Sequence, residues 1–144
     1  MIEYIDGDIF DVRVQTIVNP VNTVGVMGKG LALEFKNKYP EMFKSYHNIC
    51  ANHQFAIGQL MLFRTDDRWV LLFPTKENWR NPSRLEYIEA GLQKFVENYE
   101  RKGITSIAFP KLGCGNGGLD WDDVRQLMVK YLDPLPIPVF IVDQ

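Results

Sequence analysis

Residues 19–33, NPVNTVGVMGKGLAL, and 111–121, KLGCGNGGLDW, share one construction: an apolar run empties into a glycine-rich loop, and a helical pattern follows. Such a loop exposes backbone N–H groups at the positive end of a helix dipole, which suits a phosphate. A pair of them constrains the fold strongly. Strand–loop–helix units belong to α/β architectures, and in an open α/β sheet the strand ends converge on a common crevice, so the two loops together point to a diphosphate. The competing reading is that the glycines only let the backbone turn tightly, a role either loop alone would fill.

The rest of the chain supplies the elements such a fold needs. Short strands are expected over residues 2–5 and 14–18, on either side of the turn-forming Asp6-Gly7-Asp8. Leu31, Phe35 and Tyr39 share one face of a helix that begins after Gly28 and ends at Pro40. Pro40 suits the first turn of the next helix, whose apolar stripe is Met42, Phe43, Tyr46, Ile49 and Cys50. Strands over 59–64 and 69–73 flank a polar turn. Ser83 and Glu86 have the spacing of a capping box and open the longest helix, with Leu85, Ile88, Leu92, Phe95, Val96 and Tyr99 as its core face and Gly103 as its end. A buried strand over 104–109, a helix over 120–132 and a last strand over 139–142 complete an α/β order with helices on both faces of a sheet.

Composition narrows the possibilities further. A chain of 144 residues, 46% hydrophobic and 24% charged, is long enough for one well-buried domain over 1–144. Its net charge of −2 offers no bulk attraction for nucleic acid, so any such contact needs a local patch. No apolar run approaches the ~20 residues that span a bilayer, and the start, MIEYIDGD, lacks a basic segment followed by an apolar one, so a cytoplasmic protein without membrane contact is expected. Cys50 and Cys114 fall in a predicted helix and a glycine loop, which argues against a disulfide framework.

Common glycine motifs fit poorly. A P-loop needs a glycine five residues before Gly28, where Thr23 stands, and a serine or threonine after Lys29, where Gly30 stands. Gly113, Gly115 and Gly118 match the dinucleotide fingerprint, but that loop follows the first strand of a Rossmann domain, whereas here one helix and one strand remain. His47, Cys50 and His53 lie along one helix face without a fourth ligand, so no metal is assigned. Cys114 has no evident base to activate it.

Taken together, Gly7-Asp8-Ile9, Ile17-Val18-Asn19-Pro20-Val21-Asn22, Met27-Gly28-Lys29-Gly30 and the run 113–121 resemble a macrodomain. Segments 24–30, 73–80 and 83–91 are most similar to the DarG-like branch, antitoxins that remove ADP-ribose from thymidine bases in DNA, and the terminal ADP-ribose protein glycohydrolases are the related type. The resemblance implies a three-layer α/β/α fold with a mixed, mostly parallel six-stranded sheet. It also implies an ADP-ribosyl glycohydrolase with no cofactor, whose partners are ADP-ribose, ADP-ribosylated single-stranded DNA and a cognate DNA ADP-ribosyltransferase toxin. The other readings are a binder of ADP-ribose without turnover and a hydrolase of ester-linked ADP-ribose on proteins or O-acetyl-ADP-ribose.

The resemblance further assigns residues. Asp8 and Ile9 would meet the adenine, although an aspartate in such a turn also bonds its own backbone. Asn19 and Asn22, expected just past a strand, would hold ribose hydroxyls, Asn22 at the distal ribose; both are also turn formers. Val26, Met27, Gly28, Lys29, Gly30, Thr75, Gly113, Cys114, Gly115, Asn116, Gly117, Gly118 and Leu119 would line the ligand. The family's better-studied hydrolases place an aspartate in the first loop to activate water, whereas Met-Gly-Lys-Gly-Leu-Ala here has no acid, which moves the search for a catalyst to Lys76. A lysine just beyond an apolar strand is delivered to the crevice, and one desolvated near Lys29 or Lys111 can lose its proton, although position alone also fits a solvated loop lysine. Lys76 would either attack the distal anomeric carbon or position and protonate groups as the base leaves. Asp120 would relay a proton in the first version, and competes for the role of helix N-cap with Asp123 following. Trp79, Arg80 and Arg84 form a minimal kit for stacking a base and holding a phosphate, or else pack and solvate the surface.

Overall fold

The computed structural model describes residues 1–143. Six strands, β1 (Ile2–Asp6), β2 (Thr16–Asn22), β3 (Met61–Arg64), β4 (Trp69–Lys76), β5 (Ile107–Pro110) and β6 (Val139–Asp143), form one sheet in the order β1-β6-β5-β2-β4-β3. Every neighbouring pair is parallel except β3 against β4, the hairpin expected around the polar turn. The helices are α1 (Gly30–Lys38), α2 (Pro40–Ala51), α3 (Leu85–Lys102) and α4 (Trp121–Leu132).

Neighbouring residues of a strand point to opposite faces, and an apolar strand therefore needs cover on both. On one face Ile17, Val21, Val70 and Leu72 pack with Phe35 of α1 and with Met42, Tyr46 and Cys50 of α2. On the other, Val18, Leu71 and Phe73 meet Ile88, Leu92 and Phe95 of α3 and Val124 and Met128 of α4. The result is the three-layer α/β/α arrangement, with a mixed, mostly parallel six-stranded sheet at its centre. Among the described residues no helix is long and apolar enough to cross a membrane.

Three local expectations need correction. β2 does not stop at residue 18 but runs through Asn19 and Pro20 to Asn22. Its pairing with β5 ends at Ile17, so beyond that point β2 bonds only to β4 and a proline without an N–H is tolerated on its free side. Ser83 does not cap α3: the helix begins at Leu85 with Arg84 as its N-cap, and the Ser83 hydroxyl is buried without a hydrogen-bond partner among the described residues. Leu85, placed on the core face, is exposed, while Ile88, Leu92, Phe95 and Tyr99 are buried as the spacing requires. Gly103 ends the helix in the left-handed conformation, φ +80°, with its N–H bonded back to the last turn.

Where α3 crosses β4, Gly91 has no room for a side chain. A Cβ there would fall inside contact distance of three atoms of the fully buried Phe73 ring. Gly91→Ala gains about 1 kcal/mol of helix propensity but forces the ring out of its place, an overpacking cost of about 1–3 kcal/mol. The cost prevails because the ring is fully buried and can yield only by displacing its neighbours. Denaturant titration of Gly91→Ala should show a lower midpoint with unchanged slope, a net loss of about 1–2 kcal/mol.

Candidate active site

The loss of pairing between β2 and β5 opens the site. They pair only at Thr16–Ile107 and Ile17–Ala108, while β2 continues along β4 to Asn22–Lys76 and β5 along β6 to Pro110–Val142. A cavity of about 770 Å³ lies between these C-terminal strand ends. Its floor is Pro20, Val21 and Asn22 of β2, Thr75 and Lys76 of β4, Pro110 of β5, and Val142 and Asp143 of β6. Both glycine loops form its rim, through Val26, Gly28, Lys29 and Gly30 on one side and Gly113, Cys114, Gly115, Asn116 and Gly117 on the other.

The first loop is tied down by Asn22. Its Oδ1 accepts from the backbone N–H groups of Val24, Gly25 and Val26 at 3.1, 3.1 and 3.3 Å, and its Nδ2 donates to the Val26 carbonyl at 2.8 Å. The Tyr46 hydroxyl, fully buried on α2, lies 2.8 Å from both the Asn22 carbonyl and Oδ1. Burial raises the Tyr46 phenol far above its ordinary value, so it remains a donor. His47 adds a contact from Nδ1 to the Gly25 carbonyl at 3.1 Å, and since a carbonyl only accepts, that nitrogen carries the hydrogen. The Asn22 amide is thereby locked in one orientation, with its oxygen saturated and one amide hydrogen left to offer a ligand.

α1 follows with an open N-terminus. Lys29 occupies the N-cap position without a side-chain cap, and Lys29, Gly30, Leu31 and Ala32 line the cavity. Uncapped N–H groups in a cavity wall are what an anion binds. α4 shows the opposite case. Asp120 caps it by accepting from the Asp122 N–H at 2.8 Å, is exposed, and lies outside the cavity wall.

The second loop is pinned from the far side. Ser83 N–H donates to the Gly117 carbonyl at 3.0 Å, and Leu119 N–H to the Gly113 carbonyl at 3.0 Å. The Asn116 amide nitrogen reaches across the cavity to within 3.2 Å of where a Gly30 side chain would begin, so the two loops meet there. Burial holds the Cys114 thiol above its ordinary value, opposed by Lys111 and reinforced by Asp120, which keeps it protonated rather than nucleophilic.

Lys76 ends β4 between the loops. Its Nζ donates to the Asn116 carbonyl at 2.9 Å and to the Trp79 carbonyl at 3.4 Å. Desolvation, with the charge of Lys29 second, holds its pKa below that of an ordinary lysine. The charged residues of the wall are Lys29, Lys76, Lys111 and Asp143, and the last two pair at 3.0 Å. The balance is positive and matches a diphosphate.

Sequence-based expectations divide cleanly against this geometry. Asn22, Val26, Gly28, Lys29, Gly30, Thr75, Lys76, Trp79 and Gly113 to Gly117 converge on the cavity. Asp8, Ile9, Asn19, Met27, Gly118, Leu119, Asp120, Arg80 and Arg84 are not part of its wall. Asp8 bonds the Phe10 N–H at 3.0 Å and caps a short 3₁₀ turn, Ile9–Asp11, while the Ile9 side chain is fully buried in the core. That turn adjoins the cavity, because Gly7 N–H donates to the Asp143 carbonyl at 3.1 Å. Asn19 is also fully buried, its Nδ2 3.7 Å from the Met27 sulfur and its Oδ1 without a hydrogen-bond partner among the described residues. Arg84 pairs with Glu86 at 3.4 Å. Lys111, expected as a cation near Lys76, is in the wall, whereas Pro20, Val21, Leu31, Ala32, Pro110, Val142 and Asp143 were not anticipated there. Most sit at the C-terminal ends of parallel strands, the position from which ligand contact in open sheets follows.

A family model described as "Macro domain" matches residues 18–128, from β2 into α4. The "DNA ADP-ribosyl glycohydrolase" of Mycobacterium tuberculosis is 45% identical over 140 residues, covering 94% of this chain and 40% of that protein. The "DNA ADP-ribosyl transferase-DNA ADP-ribosyl glycohydrolase fusion protein" of Thermosipho africanus is 41% identical over 156 residues, covering 95% of this chain and 40% of that protein. The chain thus spans about two fifths of the length of these curated relatives. Among solved structures, the macrodomain of Mycobacterium tuberculosis DarG matches with a TM-score of 0.96 and 43% identity, covering 100% of this chain and 98% of that one. With both glycine loops inside the family match and the backbone matching that of the DarG macrodomain along the whole length, the chain belongs to the macrodomain family.

Proposed function

We propose that this chain binds ADP-ribose and removes it from thymidine-linked single-stranded DNA in the cytoplasm, reversing the modification made by a partner transferase and so acting as an antitoxin. The observation that carries the proposal is Lys76: its amine stands in the cavity wall between the two loops, and the first loop holds no carboxylate to activate water. The names of the relatives support the DNA substrate, and the transferase fused to one of them supports the partner. In this reading the open N–H groups of α1 and the second loop hold the diphosphate, and Asn22 offers its free amide hydrogen to the distal ribose. The adenine end lies by Val142 and Asp143, next to the Asp8 turn.

Lys76 acts as the proton donor. Two carbonyl acceptors favour its ammonium form at rest, while the lowered pKa makes the proton easier to give up. The bond from the distal anomeric carbon to the base breaks, its electron pair goes to the base nitrogen, and Lys76 supplies the proton that neutralises the base. Water then adds to the anomeric carbon, and the proton it sheds returns to the Lys76 amine. The cycle closes without a second acid, consistent with Asp120 lying outside the wall.

The pH profile tests this assignment. For a donor the active form is the ammonium, so release from a modified oligonucleotide is level on the acid side. It then falls as pH rises through a Lys76 value below that of ordinary lysine. Lys29→Ala removes a repelling charge and should move that falling limb to higher pH. A rate that instead climbs with pH makes the neutral amine the active form and overturns the donor role.

A further inference from the structure

Trp79 is a large aromatic side chain left 46% exposed beside the cavity whose wall it joins. Its exposure does not come from a loose loop. Glu77 carbonyl accepts from both the N–H and the hydroxyl of Thr23, at 3.2 and 2.9 Å, the Asn78 carboxamide oxygen accepts from Arg80 N–H at 3.0 Å, and Ser83 N–H holds Gly117. Residues 76–83 are thus fastened at both ends while displaying an indole to solvent. Val24 and Val26, 44% and 38% exposed, stand on the segment that Thr23 ties to Glu77 and extend the apolar surface of the rim. The Arg80 guanidinium lies 4.7 Å from the Trp79 ring centroid and covers one face of it.

We propose that Trp79, backed by Arg80, is a stacking platform for the nucleobase that carries the ADP-ribose. The inference rests on the DNA substrate proposed above and names the part of the site that selects it. The Trp79 carbonyl accepts from Lys76 Nζ at 3.4 Å, and residue 79 lines the same cavity as the amine that acts at the anomeric carbon. With Lys76 acting at that carbon, the group bonded to it leaves the cavity beside residue 79 in this proposal. A nucleobase brings a planar π face that an indole binds, and a guanidinium behind the indole both orders it and meets a flanking phosphate. An acidic side chain joined through an ester brings no such face. The rim therefore favours a base over a glutamate linkage without any contact to the ADP-ribose itself.

The test measures binding in a Lys76→Ala background, where turnover does not intrude. The ligands are free ADP-ribose, a thymidine-linked ADP-ribosylated single-stranded oligonucleotide and a glutamate-linked ADP-ribosylated peptide. The platform predicts that the oligonucleotide binds about 10-fold or more tightly than free ADP-ribose, that Trp79→Ala removes most of this ratio, and that Trp79→Phe keeps most of it. The peptide-to-ADP-ribose ratio should not depend on Trp79. A Trp79→Ala loss that is equal for all three ligands, or an oligonucleotide ratio that Trp79 does not alter, overturns the platform. Release by the wild-type chain, followed separately, reports on the hydrolase reading, so either idea can fail without the other.

Discussion

Lys76→Ala should lower release of ADP-ribose from a modified oligonucleotide by about 100-fold or more while changing affinity for free ADP-ribose only a few-fold. General acid catalysis contributes about 10²–10⁴ to a rate, or roughly 2.7 kcal/mol of transition-state stabilisation at the lower bound. The ground-state loss is smaller because Lys76 is spent on protein acceptors, the Asn116 and Trp79 carbonyls, rather than held free for a phosphate. Lys76→Arg keeps the charge but holds its proton far more firmly, so it should bind like the wild type and still fail to turn over. Single-turnover kinetics with calorimetric binding separates the two effects. Turnover by Lys76→Ala equal to the wild type would remove the lysine from the chemistry, and an equal fall in affinity and rate would make it a binding residue.

Gly117→Ala should be the most damaging single-methyl change to the site. A Cβ at Gly117 would collide with the Gly113 carbonyl and the Ser83 hydroxyl. The first is backbone of the same loop and the second is buried, so neither can step aside cheaply. Relief requires the loop to open, which separates Gly117 from the Ser83 N–H and draws the Asn116 carbonyl away from Lys76. Overpacking costs of about 1–3 kcal/mol, relieved by surrendering the bound geometry, correspond to roughly 10- to 100-fold weaker ADP-ribose binding. Gly115→Ala is the control for fold, since its added methyl meets no atom within 4 Å, and its unfolding midpoint should match the wild type. Gly117→Ala binding as tightly as the wild type would show that the pinned loop does not shape the ligand site.

The sequence carried the site's outline because its glycine loops are local features with a physical cause. Open N–H groups at α1 and the missing acid in the first loop are both visible in Met27-Gly28-Lys29-Gly30, and both hold in three dimensions. What sequence could not resolve were choices made by distant packing. Asn19 and Asn22 look alike along the chain, yet strand alternation and the register of β2 on β4 bury the first and carry the second to the cavity. Ser83 and Glu86 fit a capping box in one dimension, but the second glycine loop claims the Ser83 backbone and shifts the helix start to Leu85. Asp120 satisfied two readings along the chain, and in three dimensions it caps α4 and lies outside the cavity wall, a position set by how α4 packs. Pro110, Val142 and Asp143 have no motif of their own. They enter the wall because β5 and β6 pair beyond the point where β2 and β5 part.

Release of ADP-ribose from a base in DNA is read by mass spectrometry of a thymidine-linked ADP-ribosylated oligonucleotide and a glutamate-linked ADP-ribosylated protein, each incubated with the wild-type chain under the same conditions. Free ADP-ribose and an unmodified oligonucleotide with an intact thymidine should form faster than any release from the protein. An oligonucleotide that keeps its full modified mass while the protein is stripped would contradict the proposed activity on DNA.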